Sequence, residues 1–123
     1  GIDKAPDEIR KKLYRLKKGT GSYRIVDLGN IRNGIKIEDS YLRIKEVCEA
    51  LLQYNVIPLI IGSTHDMDYG QYMAYEQFEK LISVVNVDAT LDLESEPTLG
   101  LNKHHTHKIL MHEPNYLFNF ANL

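Results

Sequence analysis

The sequence has little of three things that would assign it to particular classes of protein. It has a single cysteine, Cys48, so an internal disulfide framework is excluded and we expect a reducing, cytoplasmic environment. It has no excess charge of one sign, because 15 Lys and Arg stand against 17 Asp and Glu, which argues against a nucleic-acid partner or an anionic membrane surface. No apolar run approaches the roughly 20 residues of a membrane span, so we expect neither a span nor a secretory leader.

Length and apolar content set what the chain can build. With 123 residues and 43% hydrophobic residues, it fits one small domain with one core, and we take residues 1–123 as a single domain. The chain begins "GIDKAPDEIR", without an initiator methionine and almost inside a helix pattern. We therefore expect it to be a piece of a longer protein.

Apolar periodicity predicts helices alternating with short strands. Three segments have the spacing and end signals of helices, namely "KAPDEIRKKLYRLKKGTG", "IEDSYLRIKEVCEALLQYN" and "DYGQYMAYEQFEKLI". Four short apolar runs are typical of strands, namely "YRIVDLGNI", "VIPLIIG", "SVVNVDA" and "NYLFNF". Because helices lie between the successive strands, the order predicts an α/β fold with a parallel sheet covered by helices.

The second helix has the most detailed prediction. Asp39 or Ser40 is expected to be its N-cap, because short polar side chains bond the free backbone N–H groups of a first turn. Its apolar stripe and Cys48 are expected to face the core; the stripe contains Ile44, Val47, Leu51 and Leu52.

Polar side chains follow two of the predicted strands. His65 is the third residue after "PLIIG", while Asp88 ends "VVNVD" and Asp92 follows it by four residues. Ligands of open parallel sheets bind beyond the carboxyl ends of the strands, so these three groups are candidate ligands of one divalent cation. An oxygen-rich set favours manganese over zinc. The alternative is that the carboxylates only cap turns and that the histidine is a loop residue.

A histidine-rich stretch, "NKHHTH", follows later in the chain. His104, His105 and His107 are suited to metal binding or proton transfer, and the alternative is a solvent-exposed loop. Tyr69 and Tyr72 fit helix packing better than a stacking platform for bases.

These motifs resemble the ureohydrolases, the family of arginase, agmatinase and formimidoylglutamase. "IPLIIGSTHD" is similar to the strand that ends in the family's Gly-Gly-Asp-His-Ser, and "VNVDATLDL" to its Asp-Ala-His-x-Asp. "GIDKAPDEIRKKLYRL" resembles the early Gly-Pro-x-x-Ile-Arg helix, and "GLNKHH" the loop Ser-Gly-Asn-x-His. The order of the motifs agrees along nearly the whole chain.

The resemblance implies a truncated three-layer α/β/α fold with a mostly parallel sheet and a site for two manganese ions. The ions of the family hold a hydroxide that attacks the central carbon of a guanidino or formimidoyl group. Position by position, His65, Asp88 and Asp92 match metal ligands, with Asp88 matching a bridging one. His104 matches the catalytic histidine that transfers protons.

The departures from the family pattern concern the same site. Thr90 stands where the second ion requires a histidine, and a threonine hydroxyl is a poor replacement for an imidazole. Ser63 and Thr64 replace the glycine and aspartate before His65, and Asp66 replaces the following serine. The family's later Ser-x-Asp-x-Asp-x-x-Asp-Pro motif does not occur within these 123 residues.

Together these features predict a ureohydrolase-like domain whose metal centre is degenerate and which is inactive by itself. One alternative is a parent enzyme that completes the site and acts on a small amidine; a second is a non-catalytic scaffold or small-molecule binding module. A third is an unrelated parallel α/β domain. Because sheet edges and apolar faces would lack cover, we expect a homo-oligomer or docking against the rest of a parent protein.

Overall fold

The computed structural model describes residues 4–17, 19–62, 64–93 and 104–123. It has an α/β architecture in which two 3₁₀ turns, His65–Met67 and Glu76–Phe78, flank the third helix. Its helices and strands are, in chain order, α1 (Ala5–Leu13), α2 (Ile37–Gln53), α3 (Asp68–Met73), β1 (Ile82–Asn86), α4 (His105–Leu110) and β2 (Leu117–Asn122). No helix of the described residues is long and apolar enough to cross a bilayer.

The first predicted helix is confirmed as α1. Pro6 stands in its first turn with acidic residues, and basic residues occupy its last turn, which suits the helix dipole. Arg10 extends from α1 to Asp27, with Nε 2.6 Å from Oδ2, and the Tyr14 hydroxyl donates to the same carboxylate. These contacts hold the segment around Asp27 against the helix, although no residue of α1 is itself buried.

The second predicted helix is confirmed as α2, but its N-cap prediction is wrong. Lys36 is the N-cap, and both Asp39 and Ser40 lie within the first turn. The Asp39 carboxylate accepts the backbone N–H groups of Ile35 and Lys36 at 3.1 and 3.0 Å, and the Ser40 hydroxyl accepts that of Gly34 at 3.0 Å. The side chains thus reach back to N–H groups that precede the helix, so the helix begins earlier than a cap at either residue would allow.

The core lies between α2 and α3. Ile44, Cys48 and Ala74 form its buried centre, and three partly buried residues, Leu52, Ile60 and Met67, pack around them. Cys48 is 1% exposed, as predicted, and burial raises the pKa of its thiol. Val47, assigned to the same stripe, is 37% exposed.

The two helices meet at Gly70. A Cβ atom at this position would lie 2.9 Å from the carbonyl oxygen of Tyr41 and 3.0 Å from the Cβ of Ile44. These distances are shorter than carbon–oxygen and carbon–carbon contacts allow, so only glycine permits this approach.

Two of the four predicted strands are present and run parallel, as expected. β1 pairs with β2 from Ile82↔Leu117 to Asn86↔Asn122, with a register shift after Ile82. They correspond to "SVVNVDA" and "NYLFNF".

The strand predictions for "YRIVDLGNI" and "VIPLIIG" are wrong for the described residues. Neither segment has a ladder partner there. Ile57 and Leu59 are 89% and 83% exposed, so the apolar run is not covered on both faces as its composition predicts. Pro58 also removes one N–H from any ladder.

The third predicted helix is shorter than expected. α3 ends at Met73, and the chain continues into the 3₁₀ turn Glu76–Phe78 before Glu79 takes a left-handed conformation with φ 48°. The histidine-rich segment contains a fourth helix, α4. Residues 94–103 lie outside the described residues, as does Ser63.

Replacing Gly70 by alanine should separate α2 from α3. Overpacking of this kind costs about 1–3 kcal/mol, and the better helix propensity of alanine offsets up to about 1 kcal/mol of that. We expect a lower free energy of unfolding in urea, followed by circular dichroism. Gly62→Ala is the matched control, because its Cβ would meet nothing nearer than the Thr64 carbonyl at 3.9 Å. Equal stability of the two variants would contradict the packing argument.

Candidate metal centre

Three segments of the chain converge beside the end of β1. His65 opens the 3₁₀ turn before α3, Asp88 and Asp92 lie on the segment that leaves β1, and His105 is the first residue of α4. The three residues predicted as metal ligands, His65, Asp88 and Asp92, are therefore neighbours in space. Their role as ligands stays a prediction.

His65 and Asp88 are in direct contact. The Nδ1 atom of His65 lies 2.6 Å from Oδ2 of Asp88, and Oδ1 of the same carboxylate accepts the backbone N–H of Thr90 at 3.1 Å. The N–H of Thr90, followed by the positive charge of His65, lowers the pKa of Asp88 below its ordinary value of 3.8. The end of β2 fixes the backbone here, because the Asp88 N–H donates to the Leu123 carbonyl at 3.2 Å.

Asp92 faces a second histidine. Its Oδ2 lies 3.9 Å from Nδ1 of His105, and the rings of His105 and His65 meet edge to face with centroids 5.6 Å apart. One candidate ligand atom from each of these three residues lies within 4.8 Å of the others. His105 is 2% exposed and the Asp92 side chain 12%, whereas the His65 side chain is 52% exposed and forms the open side of the group.

Thr90, on the segment after β1, contacts Asp92. Its hydroxyl donates to Oδ1 of Asp92 at 2.9 Å. Asp92 has a φ of 45°, a left-handed conformation that aspartate tolerates better than most residues. The hydroxyl therefore holds the carboxylate at the turn and occupies one of its two oxygens.

Asp68 and a pocket border His65. Desolvation raises the pKa of Asp68, the first residue of α3, while the charges of His105 and His65 act in the opposite direction. The pocket, of about 220 Å³, is lined by Ile60, Gly62, Thr64, His65, Met67 and Asp68. His65 therefore belongs both to the group of candidate ligands and to the lining of this pocket, which has room for water or a small molecule.

His104 and His105 occupy different positions at the start of α4. His104 precedes the helix, and its ring stacks on that of His107 with centroids 5.0 Å apart. The proton-transfer role predicted for His104 stays a prediction. The sequence placed His105 in the histidine cluster but did not single it out. Consecutive residues of a helix differ by about 100° in direction, so only one of His104 and His105 can face Asp92.

Comparison with known proteins identifies the family of the chain. The family model described as "Arginase family" matches residues 1–116 of the chain. The chain belongs to the arginase family. The match excludes the alternative of an unrelated α/β domain and confirms the resemblance drawn from the motifs.

Curated relatives of the chain include several proteins named formimidoylglutamase. The chain is 32% identical over 108 residues to a protein named formimidoylglutamase from Geobacillus sp. (strain WCH70), covering 81% of this chain and 33% of the relative. It is 31% identical over 96 residues to one of the same name from Macrococcus caseolyticus (strain JCSC5402), covering 76% and 30%. The chain thus spans about one third of the length of the curated relatives it matches. No solved structure is significantly similar to it.

The contacts of Asp88 predict how its carboxyl titrates. Because its pKa is lower in the folded chain than in the unfolded one, its contribution to stability is present above about pH 4 and is lost as the pH falls through the folded value. We expect His65→Ala to raise the pKa of Asp88 while leaving it below 3.8, because the N–H of Thr90 is the larger cause. Carbon-detected NMR titration of the Asp88 carboxyl measures both values; an unchanged pKa in the variant would mean that the His65 contact does not persist in solution.

Proposed function

We propose that this chain is a ureohydrolase-type domain that keeps one divalent-cation site and does not hydrolyse linear amidines by itself. One observation carries the proposal: the Thr90 hydroxyl is bonded to Asp92 where the second manganese ion of the family requires a histidine. The hydroxyl makes Asp92 part of a local turn. It brings no imidazole to a second ion.

The donor set fits one cation better than two. A single group of three candidate ligands is found among the described residues, and its atoms lie within 4.8 Å of one another. Both oxygens of Asp88 already have partners, Nδ1 of His65 and the N–H of Thr90. A pair of ions would need further carboxylates, and the aspartate-rich motif that supplies them in the family does not occur in these 123 residues.

One bound cation would act as a Lewis acid and would lower the pKa of a water molecule in the adjacent pocket. His65, on the boundary of that pocket, and Asp92 would hold the ion, and Asp88 would keep His65 in position. In the family's chemistry the attacking hydroxide is shared by two manganese ions, so a site for one ion removes half of that arrangement. This is why we expect binding without turnover.

A longer parent protein could complete the site that this chain lacks. The relatives named formimidoylglutamase are about three times longer than the region matched, and residues outside that region can complete a two-ion manganese site in a three-layer α/β/α domain. Such a parent would hydrolyse the formimidoyl C–N bond of a small amidine. Without those residues, the chain acts as a scaffold or binding module, and Thr90 favours this second role.

The surface of the chain supports association with further protein. The two apolar segments that lack strand partners expose large side chains, among them Val26 at 75%, Ile57 at 89% and Leu59 at 83%. Apolar runs of this kind are normally covered by neighbouring strands or helices. We propose that a second copy, or the remainder of a parent protein, covers them.

Amidine hydrolysis tests the proposal directly. The purified chain, incubated with Mn²⁺ or Zn²⁺ and a panel of guanidino and formimidoyl compounds, should release no product above the protein-free blank by mass spectrometry. Thr90→His should not restore activity, because the later aspartates are still lacking. The Geobacillus relative named formimidoylglutamase serves as the positive control. Turnover by the chain that Asp92→Asn abolishes would contradict the proposal.

A further inference from the structure

We infer that His105 supplies the imidazole that Thr90 cannot, so that His65, Asp92 and His105 form a cation site that prefers Zn²⁺ to Mn²⁺. The inference rests on the proposed function, since it specifies the ligands and the metal of the same single site. It differs from the ligand set implied by the family resemblance in two respects. His105 enters the site from α4, and Asp88 becomes a positioning residue.

The distances suit a small cation after a modest contraction. Zn–N and Zn–O bonds of about 2.0–2.2 Å in tetrahedral geometry place ligand atoms about 3.4 Å apart. Oδ2 of Asp92 and Nδ1 of His105 are 3.9 Å apart, and one candidate ligand atom from each of the three residues lies within 4.8 Å of the others. The side chains of His105 and Asp92 are 3% and 12% exposed and form the inner part of the site, while the half-exposed His65 forms its open side, where the remaining gap is closed.

The outer contacts allow both rings the tautomer that a metal ligand needs. The Asp88 carboxylate beside Nδ1 of His65 favours a proton on that nitrogen, which leaves the lone pair on Nε2. The Thr106 hydroxyl, fully buried, lies 3.3 Å from Nε2 of His105. With its proton on Nε2, His105 presents the lone pair of Nδ1 to the side on which Asp92 lies. A carboxylate or hydroxyl behind each imidazole is the usual support of histidine ligands.

The donor types decide the metal. Two imidazoles and one carboxylate suit zinc, whereas manganese is favoured by carboxylates, carbonyls and water, and it stands at the weak end of the affinity order for divalent metals. Because the Thr90 hydroxyl donates to Oδ1 of Asp92, Oδ2 is the oxygen better placed to bind the ion, which favours one carboxylate oxygen in the set over two. A fourth position remains open toward the pocket beside His65, where water or a small anion can bind.

Histidine NMR of the unmodified chain identifies the ligands without any substitution. The chain has five histidines, and long-range ¹H–¹⁵N spectra resolve the two nitrogens of each ring. On titration with ZnCl₂, the rings of His65 and His105 should shift to metal-bound positions, through Nε2 and Nδ1 respectively. His104, His107 and His112 should keep their unligated pattern. Metal-bound shifts at His104 or His107 in place of His105 would overturn the inference.

Calorimetry then measures affinity and selectivity. We expect one Zn²⁺ per chain, bound at least about tenfold more tightly than Mn²⁺. His105→Ala should weaken Zn²⁺ binding by more than about 100-fold and Asp88→Asn by about 10- to 100-fold, as for a lost ligand and a lost supporting contact. His107→Ala is the matched control, since it removes an imidazole from the same helix away from the site, and its affinity should equal that of the unmodified chain.

The outcomes separate this inference from the proposed function. Zn²⁺ binding that depends on His65 and Asp92 but not on His105 would overturn the inference and leave the single-cation proposal standing, as would tighter binding of Mn²⁺. No binding of either metal by the unmodified chain would overturn both. Because His105 is buried, His65→Ala, at a half-exposed position, tests the same site if His105→Ala fails to fold by circular dichroism.

Discussion

The parallel pairing of β1 with β2 is the constraint on which the candidate site depends. It continues past the last paired residues, because the Leu123 N–H donates to Asn86 at 2.9 Å and the Asp88 N–H donates to Leu123 at 3.2 Å. The Asn122 side chain adds a bond to the Asp88 carbonyl at 3.2 Å. Backbone bonds of this kind fix where the segment after β1 leaves the sheet, and the Asp88 carboxylate is thereby held against His65.

A cluster of hydrogen bonds between α3 and the segment after α4 sets the position of His105. His112, which follows α4, forms a hydrogen bond of 2.8 Å with the Tyr69 hydroxyl through Nδ1 and contacts Glu76 through Nε2. The Tyr72 hydroxyl donates to Asn115 at 3.2 Å. These bonds join α3 to the segment between α4 and β2, so the position of His105 is set from the same helix that follows His65. The site is therefore assembled from elements that are each fixed by partners outside it.

Sequence patterns predicted those parts of the structure whose causes are local. α1 and α2 have apolar spacing and acidic first turns, and "SVVNVDA" and "NYLFNF" are strands because they pair with each other. "VIPLIIG" has the composition of a buried strand, yet a strand needs a ladder partner, and none lies within the described part of the chain. A run of residues can indicate the preference for extended structure but cannot supply the second strand.

The site shows the same division between local and non-local information. His65, Asp88 and Asp92 were found because each follows an apolar run and because the order of motifs is that of a family. The sequence could not predict which of His104 and His105 faces the site, because that depends on where α4 begins and how it packs against α3. One residue of shift in the helix start exchanges the two rings, and the family motif points to His104 alone.

Thr90 and His105 together explain how a degenerate motif can keep a binding function. Loss of a histidine beside Asp92 removes a ligand, and the hydroxyl that replaces it takes one oxygen of the remaining carboxylate. A histidine from another element restores the number of imidazoles, although not on the strand segment from which the family provides it. The resulting set has more nitrogen and fewer free carboxylate oxygens than a manganese pair requires, so under the proposed ligand set the change that would weaken two-ion catalysis would also move the preference of the site toward zinc.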